Sequence, residues 1–322
     1  MAALLMLLAF GGCGSDDKPA PIDMRATVVA LPGAMRQIDF DDIVYSARLD
    51  RVLVPAGRSG LYLVEPRTGD AQRVGPAGTA DSADEGRGLL FALDRGERAL
   101  RVLEPAGGRV IASVDTANAP DYVRYIRSTG EVWVTEPTAS PPGIEVFTVP
   151  AGAPRPARVA FIPLERGAEG LEWSSATGAA YTHTGDDVVA LDPASRSVAA
   201  TWPTACGGTH GFPRVDARDR LLLASCADGE VVLLDLDSGR RIDRYAAGDG
   251  EALPGYAGRS GHFYARTDPG TRLVTLKASR GGLRVVRHVE VPAVGHCLTA
   301  DGVGHYWTCD AENGRLLRFD DR

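Results

Sequence analysis

Beyond residue 24 short apolar runs alternate with clusters of Gly, Pro, Asp and Ser, and no apolar stretch keeps a helical period. The runs are rich in Val, Leu, Ile and Tyr and are bounded by turn residues, which predicts strands joined by tight turns. Seven segments share one grammar: strand, short turn, strand, turn, strand. They are "DRVLVPAGRSGLYLVEPRTGDAQRV", "RGLLFALDRGERALRVLEPAGGRVIASV", "GEVWVTEPTASPPGIEVFTVP", "GAAYTHTGDDVVALDPASRSVAATW", "DRLLLASCADGEVVLLDLDSGRRIDRY", "GHFYARTDPGTRLVTLKASRGGLRVV" and "GHYWTCDAENGRLLRFD".

The third strand of each segment begins near Leu61, Leu100, Ile144, Val188, Val231, Leu273 and Leu316, at gaps of 39 to 44 residues. Glu65-Pro66, Glu104-Pro105, Asp192-Pro193 and Asp235 close third strands with residues that start turns. Sheets this thin must stack on one another to bury their faces. A period of about 40–45 residues with four strands per unit predicts an all-β, seven-bladed β-propeller. The seventh segment stops after its third strand, and "RATVVALP" at 25–32 is expected to pair with "RLLRFD" and close the ring, leaving no free edge. Six or eight blades stay open, because blade 2 has a weak first strand.

Through "RVLVPAGRSGLYLVEPRTG" and "RLLLASCADGEVVLLDLDSGR" the chain resembles the YVTN/NHL-like family of bacterial propellers, whose surface-layer and lactonase-like members span many functions. The resemblance rests on the repeat and implies the ring, not a reaction.

The amino terminus reads "MAALLMLLAFGGCGSDDKPAPIDM". Its apolar run is too short to cross about 30 Å of hydrocarbon and has the layout of a secretory signal. Gly11-Gly12-Cys13 resembles a bacterial lipoprotein lipobox. The expected organisation is a signal peptide over 1–12, a lipidated tether over 13–23 acylated at Cys13, and a propeller over 24–322. An ordinary signal peptide with an incidental Cys13 is the competing expectation. The expected location is a bacterial cell envelope, anchored facing the periplasm and more readily at the outer than the inner membrane, or secretion. A net charge of −7 with no Lys/Arg cluster argues against nucleic acid, and leaves the lipid as the only membrane contact of a monomer.

Apart from Cys13 the cysteines are Cys206, Cys226, Cys297 and Cys309, an even set that predicts two disulfides in an exported chain. Cys206 precedes blade 5 and Cys226 ends its second strand; Cys297 starts blade 7 and Cys309 ends its second strand. Antiparallel neighbours bring such positions within reach. The expected pairs are Cys206–Cys226 and Cys297–Cys309, each stapling one blade by roughly 2–4 kcal/mol at most.

Loops leading into first strands share one mouth of the ring with loops joining second to third strands. The former carry Asp41, Asp42, Asp84, Asp121, Glu169, His210 and His296, with Gly255-Tyr256 in blade 6; the latter carry Glu136, His183, Asp228, Asp268 and Asp310. Carboxylates suit Ca²⁺, whereas two imidazoles and a carboxylate suit Zn²⁺. The candidate ligands are His183, His210, Asp228, His296, Glu169 and Asp121, with His183 and His210 on neighbouring blades. Solvated turn chemistry is the competing reading, because Asp commonly precedes strands. Blade 5, "CGGTHG" followed by "CADG", resembles periplasmic propeller zinc metallochaperones, which implies His210 and Asp228 as ligand positions.

No nucleophile elbow or phosphate loop is present, and "AEGLEW" from Glu169 resembles only the Glu-Gly start of a lactonase metal blade. Trp133, Trp173, Trp202 and Trp307 are expected in the core, and His262, His288 and His305 within sheets. The expected function is a non-catalytic envelope module that binds a protein or small ligand, with a Ca or Zn cation at the mouth. A Ca-dependent lactonase-like hydrolase and a periplasmic zinc chaperone are the alternatives.

Overall fold

A computed structural model of the chain describes residues 26–75, 78–150, 152 and 154–321. The expected signal peptide, the expected acylation site Cys13 and the expected tether lie outside the described residues. Among the described residues all 28 elements are strands, in seven four-stranded antiparallel sheets arranged as a propeller. Blade 1 comprises β2 Val44–Ser46, β3 Arg51–Pro55, β4 Leu61–Val64 and β5 Ala71–Val74. Blade 2 comprises β6 Ser82–Gly86, β7 Leu89–Asp94, β8 Ala99–Leu103 and β9 Val110–Asp115. Blade 3 comprises β10 Val123–Ile126, β11 Glu131–Glu136, β12 Gly143–Thr148 and β13 Ala157–Pro163. Blade 4 comprises β14 Ala168–Ser174, β15 Ala179–Thr184, β16 Asp187–Asp192 and β17 Ser197–Pro203. Blade 5 comprises β18 Arg214–Asp216, β19 Leu221–Ser225, β20 Glu230–Asp235 and β21 Arg241–Ala246. Blade 6 comprises β22 Glu251–Ala257, β23 His262–Asp268, β24 Arg272–Ser279 and β25 Gly282–Glu290.

Blade 7 takes its first three strands, β26 Leu298–Ala300, β27 His305–Asp310 and β28 Arg315–Asp320, from the carboxyl end. Its fourth is β1, Thr27–Ala30, in register Thr27↔Arg318 through Ala30↔Arg315. The ring is therefore closed by the amino-terminal strand, as the truncated seventh repeat predicts.

The core is distributed between blades. Along β19, Leu222 and Ala224 pack toward blade 4 with Tyr181 and Val188, whereas Leu221 and Leu223 pack toward blade 6 with Phe263 and Ala265. A period-2 strand sandwiched on both sides thus reads as a continuous apolar run. Blade 2's polar first strand is stable because neighbouring blades satisfy it. Ser82 donates to Asp42 at 2.5 Å, Asp84 accepts from Tyr125 N at 2.7 Å, and Glu85 accepts from Ser46 and Arg48 at 3.2 and 3.1 Å. This settles the number of blades at seven.

Trp133 and Trp307 are fully buried, as expected. Trp173 and Trp202 are partly buried and pack against the apolar clusters between blades, Trp173 also lining a pocket and Trp202 stacking on Tyr181. His262 and His305 pair within the sheets with Asp321 and Asp301, each at 2.8 Å, while His288 lies in β25.

Candidate metal centre

The mouth is assembled from chain that enters or leaves strands. His210 lies in the loop before β18, His296 in the loop before β26, and Glu251 opens β22. Their side chains meet although they belong to three blades. The two Nε2 atoms are 3.1 Å apart, and Glu251 Oε2 is 3.4 Å from His210 Nε2. Among the described residues this is the group of three ligating side chains whose donor atoms all lie within 4.8 Å of one another. Both imidazoles are backed on their other nitrogen: Asp268 Oδ2 is 3.2 Å from His296 Nδ1, and Glu169 Oε1 is 4.0 Å from His210 Nδ1.

A second group adjoins the first. Arg95 Nη2 lies 2.5 Å from Asp41 and 2.6 Å from Asp121, and Tyr122 donates to Asp41 at 2.9 Å. Asp41 Oδ1 is also 3.9 Å from His296 Nε2, which links the two groups. Beside them opens a cavity of about 650 Å³ bounded by Met35, Asp41, Arg58, Arg95 and His296. Below, Phe212 fills the waist of the ring, edge-on to Tyr122 and between the guanidinium groups of Arg124 and Arg214 at 4.9 and 5.0 Å. Beyond it lies a second cavity of about 300 Å³, bordered by first strands of all seven blades.

The electrostatics follow from crowding acids and bases in a half-dry site. Burial pushes the Glu169 carboxyl up to about 7, and the charges of Asp121 and Asp41 add to it. Burial also raises Asp121 to about 6 against the opposing pull of Arg95. Burial and the neighbouring His296 hold His210 below the ordinary imidazole value. Burial acts on His296 in the same sense, but its hydrogen bond to Asp268 and the charge of Asp41 outweigh it and raise the pKa. Asp268 is held low by the same partner despite burial. The two imidazoles are thus shifted in opposite directions, His296 up and His210 down.

Of the six candidate ligands, His210 and His296 meet, and Glu169 and Asp121 lie around them. His183 stands apart from this group: its ring is fully buried and donates from Nδ1 to Gly211 O at 2.9 Å. Burial lowers its pKa to about 4, so it stays neutral and props the loop that carries His210. Asp228 is not brought to this group either; it sits exposed on the β19–β20 hairpin and accepts from Glu230 N. Asp84 leaves the mouth altogether, lying mid-strand against the second cavity. Glu136 and Asp310 turn inward to Asn118 and to Asn313 and Arg315.

The Glu-Gly of "AEGLEW" proves to be a bulge in β14. Gly170 takes φ +72°, and a Cβ there would come within 2.2 Å of Gly211 O. Glu251 was missed in the sequence, yet it stands eleven residues ahead of its second strand, as His210 does of Leu221. Reading blade 6 at Gly255-Tyr256 passed over it.

Cys206 and Cys226 are bonded, with Cα atoms 5.3 Å apart, as are Cys297 and Cys309 at 5.8 Å. Both bridges are the within-blade pairs expected.

No protein-family model and no curated protein sequence matches the chain. Solved structures do. A chain of the crystal structure of a mitotic checkpoint complex is 14% identical with a TM-score of 0.75, over 99% of this chain and 98% of that one. The β-propeller domain of Cps50 (Swd1) from Myceliophteria thermophila is 11% identical at TM-score 0.72, over 92% and 99%. The WD40 repeats of RRP9 are 11% identical at TM-score 0.73, over 94% and 99%. The chain has the seven-bladed fold of these propellers. At such identities the likeness carries the architecture alone.

Proposed function

We propose that this chain is a non-catalytic binding propeller of the cell envelope whose mouth holds one divalent transition metal of the zinc type. The ligands are His210 Nε2, His296 Nε2 and Glu251. The observation that carries this is the 3.1 Å approach of the two Nε2 atoms beside Glu251. Two nitrogens, each about 2.0–2.1 Å from a tetrahedral zinc, stand about 3.3 Å apart. Two imidazoles and one carboxylate leave a fourth position for water or a ligand.

Calcium and a lactonase-type site are less well supported. A calcium cage needs six or more oxygens free to converge, whereas Asp41 and Asp121 are both engaged by Arg95. The backing carboxylates Asp268 and Glu169 resemble the outer partners that orient ligating histidines.

The envelope part of the reading rests on Cys13 and the run before it. The blade 5 resemblance supports zinc handling, with delivery to another protein as its narrower form. The protein-binding part takes its precedent from the similar ring solved within a mitotic checkpoint complex, which shares the architecture only.

Titration calorimetry of residues 24–322 with Zn²⁺ and Ca²⁺ tests the metal. One equivalent of Zn²⁺ is expected, lost in His210→Ala and His296→Ala. Absence of zinc binding by the unmodified protein would falsify the reading.

A further inference from the structure

Each of the three metal-facing residues is tied to a half-cystine. His296 directly precedes Cys297. His210 lies within the loop closed by Cys206–Cys226, where His210 N donates to Ser225 O at 3.0 Å and Ser225 Oγ donates back to His210 O. Thr209 bridges to Cys226, and Ala227 N donates to Gly208 O at 2.9 Å, so the loop is stitched to the bonded cysteine on both sides of the histidine. Ala252, next to Glu251, donates its N–H to Cys226 O at 3.0 Å. One disulfide therefore backs two of the three side chains.

The other disulfide holds the third. Cys297 O accepts from Thr308 Oγ1 at 2.8 Å, and Thr308 accepts from the buried Arg266 at 2.7 Å. The loop before His296 presses on the same bridge: a Cβ on Gly295 would lie 2.4 Å from Cys309 O. Gly295 N donates to Asp268, the carboxylate that orients His296. Elsewhere the blades hold together by stacked apolar faces and need no such bond. Both bridges fall in the blades whose preceding loops carry the two histidines.

We propose, resting on the metal reading above, that the two disulfides are positioning devices for the metal ligands, so that the chain holds its metal tightly only in the oxidised form. Opening a bridge with a dithiol moves two electrons and two protons to the cystine. The dithiol closes to its own disulfide, and two thiols remain in this chain. The loop bearing His210 or His296 then loses its covalent stay at the mouth. A chain that is oxidised on export would thus become competent for the metal only after its cysteines have paired.

Freed thiols bind zinc themselves, so the clean test replaces them. Zinc affinity is measured by competition with a chromophoric chelator, and Co²⁺ absorption reports the geometry of the centre. The proteins are the oxidised chain, Cys206→Ala/Cys226→Ala, Cys297→Ala/Cys309→Ala, and Ser225→Ala with both bridges intact. Each cysteine pair variant is expected to bind 10–100-fold more weakly, the range seen when supports of metal ligands are removed. Its Co²⁺ spectrum should be altered, and Ser225→Ala should lose affinity by a smaller factor. Variants that are less heat-stable yet bind Zn²⁺ and Co²⁺ as the unmodified protein does overturn the inference. If one pair fails to fold, the other pair and Ser225→Ala decide it by the same criteria. An oxidised, unmodified chain that takes up no zinc overturns instead the metal reading on which the inference rests.

Discussion

His210 and His296 stand 86 residues apart in the chain and meet edge to face across the mouth, ring centroids 4.9 Å apart. Two imidazoles at this distance cannot both be protonated at low cost, and their surroundings break the tie. The hydrogen bond to Asp268 raises His296, while burial and the neighbouring His296 lower His210.

The first prediction concerns these opposite shifts. In the metal-free protein the C2–H resonance of His296 should titrate above the ordinary imidazole value of about 6.5 and that of His210 below it. The stability supplied by His296 is complete below its unfolded value and is lost as pH rises through its raised folded value. His210 has the opposite sign, and its penalty appears as pH falls below the unfolded value. Asp268→Asn should pull the His296 titration down. An unmoved His296 resonance in that variant would remove Asp268 as the cause.

Glu169 gives a second pH signature. A carboxyl raised to about 7 favours folding while protonated, so its stabilising share is present below the unfolded value and lost as pH rises through 7. Glu169→Gln, without metal, should match the unmodified protein near pH 5. At pH 8 it should exceed it by about 1–2 kcal/mol, after discounting the exposed part of the side chain. Denaturant melts at both pH values check this, and equal differences at the two would contradict it.

At the waist, Arg124 and Asp42 form a buried two-pronged pair at 2.7 Å for each prong. Arg124→Ala removes the counter-charge of the buried Asp42 and leaves it the Ser82 hydrogen bond; it should cost about 3–5 kcal/mol, whereas Asp42→Leu/Arg124→Met should recover most of that loss. A double-mutant cycle by urea denaturation measures the coupling. A pair of losses that simply add would show that the two groups act independently.

Ring closure is the fourth test. Val29 is buried on β1 among Phe40, Val54 and Trp307. Deleting residues 1–31 removes that contact and bares the edge of β28. It should lower stability by more than the roughly 1.5–3 kcal/mol of one buried valine and promote association through the open edge. Calorimetry and light scattering read both effects; a monomer melting at the original temperature would mean the ring does not depend on this strand.

What could be read from the sequence was whatever depends on near neighbours. The spacing of Leu61, Leu100 and Ile144 reports hairpins closed by local turns, so the blade and its repeat are written in the order of residues. The cysteine pairs span 20 and 12 residues inside single blades, where antiparallel pairing alone brings them together. The truncated last repeat called for an amino-terminal strand because an open sheet edge is costly. The meeting of His210, Glu251 and His296 was not written there. It depends on how far two loops and the start of β22 lean over the mouth and on which rotamer each side chain finds free. His183 shows the same limit from the other side. By blade count it neighbours His210, but its ring is fully buried and donates its Nδ1–H to Gly211 O. Local chemistry and period set the ring, and only the packed ring, by bringing distant loops within a few ångströms, decided which of the residues on its rim share one site.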